Sequence, residues 1–60
     1  MTQTASEVFE KAMDAEFTNS NPAEAITLYQ AAAQLYIDEG SPADAEVCQH
    51  MAEIVNEKPG

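Results

Sequence analysis

The sequence predicts an all-α fold. Three antiparallel helices cover about residues 4–18, 22–39 and 42–56, a helical hairpin plus one extra helix, within a single small domain over residues 1–60. Three observations carry this expectation. Helix-start punctuation recurs at Thr4, Asn21 and Ser41. Apolar residues recur at three- and four-residue spacing, the period of an amphipathic helix. No segment shows strand alternation or β-branched enrichment.

The first helix opens at Thr4-Ala5-Ser6-Glu7, where the threonine and the glutamate three residues on can each cap the other's backbone. It is expected to run to about Phe17 and to stop in the turn formers Thr18-Asn19-Ser20-Asn21. The second opens at Asn21-Pro22-Ala23-Glu24. Asparagine is a strong N-cap, and proline suits the first helical position because its missing N–H has no partner there anyway. Gly40 supplies a left-handed stop. The third opens the same way, at Ser41-Pro42-Ala43-Asp44, and fades near Asn56 before Pro59. Loops this short imply an up-down-up path.

Placing residues at helical intervals identifies the middle helix as central. Its apolar arc runs through Leu35, Leu28, Ala32, Ala25, Tyr36, Tyr29, Ala33, Ile26 and Ile37. That arc is roughly 200° wide at 3.6 residues per turn, too wide for one neighbour. The first helix offers Ala5, Val8, Phe9, Ala12, Met13 and Phe17. The third offers Ala45, Cys48, Met51, Ala52 and Val55, with Val47 and Ile54 at the margin.

An echo at a 20-residue offset links the three helices: Ala5/Ala25/Ala45, Val8/Leu28/Cys48 and Ala12/Ala32/Ala52. Each trio lies on one helical face, and small residues there let helix axes approach closely. Phe9 matches Tyr29, whereas the third copy has Gln49.

Charge narrows the function classes. Eleven acids face two lysines, Lys11 and Lys58, for a net charge of −9. This argues against nucleic acid and anionic membrane as partners, since both need a basic footprint. No apolar run approaches the roughly 18 residues of a membrane span, and no basic-then-apolar amino end suggests a secretory leader. Of the 45% hydrophobic residues, eleven are alanines. A single core of this size supplies about 3–5 kcal/mol, so marginal stability is expected. One cysteine, Cys48, cannot form an intramolecular disulfide, which makes the cytoplasm the expected compartment.

The segment Ala25-x3-Tyr29-x2-Ala32 resembles the second-helix signature of a tetratricopeptide repeat, with Ala12 or Met13 near the close-packing position of the preceding helix. The consensus tryptophan, glycine and terminal proline are absent, and the 20-residue offset exceeds the usual spacing. Residues 29–45, from Tyr29-Gln30-Ala31-Ala32 through Gly40 to Ala45, resemble the tetratricopeptide-like layer of the soluble NSF attachment proteins. Lys11-Ala12 with Ala25-x3-Tyr29 is also similar to the microtubule-interacting-and-trafficking domain, a three-helix module, although Asp14 comes early and one residue is inserted before Ala25. Both resemblances imply noncatalytic binding of a peptide or helix in a groove between helices. The basic carboxylate clamp of some tetratricopeptide domains has no counterpart among two lysines, so a basic or amphipathic helix is the expected partner.

Candidate chemistry is sparse. Cys48 and His50 point roughly 200° apart on a helix, so they are no nucleophile–base pair, and Cys48 reads as an inert buried thiol. His50 shares a polar stripe with Glu46, Glu53 and Glu57; the spacing matches no metal motif, and a solvated face is the expectation. Glu16 falls within the apolar arc of the first helix. Its stem either snorkels to water or its carboxylate meets a cation. Asp38 and Glu39 are anions at a helix C-terminus, where the backbone dipole disfavours them.

The sequence therefore predicts no enzyme, no cofactor and no metal site. It predicts a partner-binding surface of Phe17, Tyr36, Val47, Met51 and Ile54. A small acidic homo-oligomer, or an inhibitor covering a basic protein surface, is the alternative.

Overall fold

The computed structural model describes residues 3–57. Three helices run up, down and up: α1 (Ala5–Met13, continued by a π-helical turn, Asp14–Thr18), α2 (Pro22–Asp38) and α3 (Pro42–Glu57). No strand occurs among the described residues. The molecule is a slab of 34 × 23 × 12 Å. The width of the α2 arc has its explanation here, because α1 and α3 both pack along α2 while touching each other little.

The caps form as their residues dictate. Thr4 Oγ1 accepts the Glu7 N–H at 3.2 Å, and Glu7 Oε1 accepts the Thr4 N–H at 3.2 Å, closing the box. Asn21 Oδ1 accepts the Glu24 N–H at 3.3 Å, with Pro22 in the first turn. At the end of α2, Gly40 takes φ +82°, a conformation that costs glycine little. The Ser41 N–H then donates to the Tyr36 carbonyl at 2.7 Å and the Gly40 N–H to that of Ile37 at 3.0 Å. These are the paired bonds of a Schellman stop. Pro59, expected to bar extension of α3, lies outside the described residues.

The first helix departs from expectation. α-Helical geometry ends at Met13 instead of continuing to about Phe17. The Asn19 N–H donates to the Asp14 carbonyl at 2.9 Å, an i→i−5 bond, and the Asn21 N–H to the Ala15 carbonyl at 2.8 Å. Ser20 turns the chain at φ +51°, in the left-handed region. The wide turn keeps Ala15 buried and leaves Phe17 65% exposed, off the buried face on which its α-helical spacing placed it.

The core is built largely from alanine. The six aligned alanines at positions 5, 12, 25, 32, 45 and 52 are at most 6% exposed. Tyr29 and Cys48 are the largest fully buried side chains. One cluster joins Ala12, Ala15, Ala25, Tyr29, Ala52 and Val55; a second joins Val8, Ala32, Ala33, Ala45 and Cys48. Ile37, counted in the α2 arc, sits in the last turn and is 48% exposed.

Glu39 has a partner that a search for side-chain cations does not find. Its Oε2 accepts the N–H of Ala5, the first residue of α1, at 3.0 Å across 34 residues. The anion disfavoured at the end of α2 is thus favoured at the start of α1, where unpaired N–H groups and the helix dipole present positive charge. Glu39→Gln keeps an acceptor and removes the charge. We expect it to lower stability by about 0.5 kcal/mol, read as a smaller urea midpoint by circular dichroism. An unchanged midpoint would show the contact to be energetically silent.

Candidate interaction surface

The expected surface residues divide by helix. On α3, Val47, Met51 and Ile54 follow at i, i+4 and i+7 and form one ridge. Val47 is 53% and Ile54 37% exposed. Met51 is half-buried and packs against the cluster around Tyr29 and Val55. These spacings lie on one margin of the buried line Ala45, Cys48, Ala52, Val55, as the wheel places them.

Tyr36 is half-buried at the end of α2, against the cluster of Val8, Ala32 and Cys48. Burial pushes its hydroxyl above the ordinary phenol value, with Asp44, Cys48 and Glu39 adding in the same direction. Ser6 of α1 lies close enough to oppose the shift. Tyr36 therefore sits where the beginnings of α1 and α3 meet the end of α2. Phe17 lies within the π turn, at the end of the slab away from Tyr36. Val47, Met51 and Ile54 form the ridge, Tyr36 lies toward its N-terminal end, and Phe17 lies at the end of the slab toward which the ridge runs.

Glu16 is half-buried, and its Oε1 accepts the Tyr29 hydroxyl proton at 2.9 Å. Phe9 meets the Tyr29 ring edge-on, with centroids 5.6 Å apart. Burial pushes the Tyr29 hydroxyl well above its ordinary value, and the hydrogen bond and negative charge of Glu16 add to this. The aromatic tip thus gains a polar partner without reaching bulk water. In the fold, Glu16 accepts this proton.

Cys48 is fully buried and His50 is exposed, so they do not meet. Burial first, and Asp44 second, push the Cys48 thiol above its ordinary value. We expect an aromatic disulfide reagent to label the folded chain about 100-fold more slowly than the urea-unfolded chain, since attack waits on opening. Equal rates would show that the thiol is not enclosed. Among the described residues, no group of three or more His, Cys, Asp or Glu side chains is arranged to hold a metal ion. No helix among them is long and apolar enough to cross a membrane.

A shallow groove runs between α2 and α3, lined by Ile26, Gln30, Ala52, Glu53 and Asn56. None of the five expected surface residues lines it. Sequence periodicity does not single it out, because its walls mix polar residues of both helices, Gln30, Glu53 and Asn56, with Ile26 and Ala52.

The chain matches no family model, and no curated protein or solved structure matches it. Functional inference therefore rests on the residues and their geometry.

Proposed function

We propose that the chain is a noncatalytic protein–protein interaction module that receives a basic or amphipathic helix against α3, at the margin of its seam with α2. The observation that carries this reading is the ridge of Val47, Met51 and Ile54. Two of these side chains are 53% and 37% exposed, and the flank beside them bears His50, with Glu46 and Glu53 beyond it. Apolar side chains at i, i+4 and i+7 on one helix match the anchors of helix-in-groove recognition. A net charge of −9 favours a cationic partner and speeds its encounter. The tetratricopeptide-like resemblance, with the microtubule-interacting-and-trafficking resemblance as runner-up, points to the same class of work.

Titrating the folded chain with a lysine-rich amphipathic helical peptide, followed by amide chemical shifts, tests this. Shifts are expected at Val47, Met51 and Ile54 and should weaken as salt rises. Ile54→Asp, on a surface ridge, is expected to preserve helicity and weaken the peptide at least about tenfold, the scale of losing a buried anchor. Absence of shifts along α3 would refute the surface. Concentration-dependent mass in light scattering would instead favour the acidic homo-oligomer, in which a second copy covers the same side chains.

A further inference from the structure

We propose that the π turn closing α1 is a latched register. By donating to Glu16, the Tyr29 hydroxyl holds Asp14–Thr18 in the π form; without that bond the segment relaxes to an α turn. The device is independent of the interaction-module reading above.

Two locally unfavourable backbone states stand almost side by side. The π turn Asp14–Thr18 closes with the Asn19 N–H on the Asp14 carbonyl at 2.9 Å. Such geometry is rare and occurs mostly as single turns set into α-helices, frequently at functional sites. Two residues further on, Ser20 takes φ +51°, a left-handed conformation that residues with a Cβ adopt only at a cost. States of this kind persist where tertiary contacts over-determine them. Asp14-Ala15-Glu16-Phe17-Thr18 holds no glycine or proline that would break an α turn. The cause therefore lies across the seam with α2.

Ala15 is 1% exposed and clusters with Ala25 and Tyr29, but apolar burial is non-directional and does not by itself select one turn type. The bond from Tyr29 to Glu16 is directional. Its donor sits at the tip of a fully buried ring that Phe9 meets edge-on, and the acceptor lies 2.9 Å away. In an α continuation, Glu16 would stand four residues from Ala12 and seven from Phe9, on the line that α1 buries. A carboxylate there is costly. The wider π turn displaces Glu16 around the axis, where it is half-buried and meets the hydroxyl. The two registers differ in one backbone partner: the Asn19 N–H donates to Asp14 in the π form and to Ala15 in the α form.

Scalar coupling through the hydrogen bond, measured by NMR, reads this partner directly. In the parent chain the Asn19 amide nitrogen is expected to couple to the Asp14 carbonyl carbon. Tyr29→Phe keeps the ring and is expected to lower the ratio of π to α form about fivefold, the scale of one net hydrogen bond. The change is read as coupling transferred toward the Ala15 carbonyl, with matching carbonyl and Cα shifts over residues 14–19. Glu16→Ala is expected to do the same, and serves alone should Tyr29→Phe fail to fold by circular dichroism. Glu16→Gln keeps an acceptor and should retain the parent coupling. Ser20→Gly relieves the left-handed cost without touching the latch and should retain it too. An unchanged Asp14 coupling in Glu16→Ala would overturn the latch and assign the turn to the burial of Ala15. Coupling of Asn19 to Ala15 in the parent itself would overturn the π register.

Discussion

Tyr29→Ala is expected to abolish cooperative folding of the isolated chain. Tyr29 is the largest fully buried side chain, sits between α1 and α3 on the central helix and meets Phe9 edge-on. Truncating a buried aromatic costs about 3–5 kcal/mol, and a core of this size supplies about as much in total. Circular dichroism should show a shallow, non-cooperative urea transition. A sigmoidal transition with a midpoint near the parent's would refute this role. Tyr29→Phe separates packing from polarity. It keeps the ring, leaves Glu16 without the hydroxyl proton and should cost about 1 kcal/mol. The same hydroxyl gives a pH signature. Both phenols are held above their ordinary value in the folded chain, so their contribution is complete below about pH 10 and is lost as pH rises above it. Phenolate absorbance should therefore appear together with loss of helix. Phenolate forming near pH 10 with the helix intact would contradict the burial of these rings.

Ala32→Leu is expected to cost about 2–3 kcal/mol by overpacking. Ala32 is fully buried in the cluster with Val8, Ala45 and Cys48, where the closeness of the helices depends on the absence of side-chain bulk. Three added carbons must push a neighbouring helix outward or strain a rotamer. Ala31→Leu is the matched control: Ala31 is exposed on the same helix, and its change should stay within about 0.5 kcal/mol. The comparison is made by urea denaturation. An Ala32→Leu chain at least as stable as the parent would show that the helices pack loosely at this row.

The helix starts were readable because caps act locally. Threonine with glutamate three residues on, asparagine before proline, and glycine after the last turn each satisfy backbone groups within a few residues, so sequence suffices. The aligned alanines were readable for a related reason, since periodicity reports which face is buried. The π turn was not readable. Nothing in Asp14-Ala15-Glu16-Phe17-Thr18 disfavours an ordinary α turn, and the Tyr29 hydroxyl that Glu16 meets lies 13 residues away. Glu39 escaped because its partner is a backbone N–H exposed by a helix start, which no inventory of charged side chains contains. The ridge on α3 was readable as a margin of the apolar arc.

The alanine seams also affect how this protein responds to temperature. Alanine loses no rotamer freedom on folding and covers little apolar area. The helices therefore associate with a small side-chain entropy loss and a small change in apolar hydration. Hydration of apolar surface is what makes the heat capacity rise on unfolding. A core in which alanine occupies six aligned positions accordingly gives a stability curve that is low and gently bent. Such a chain changes its folded fraction gradually over tens of degrees, and any partner that binds the folded state shifts that balance by mass action.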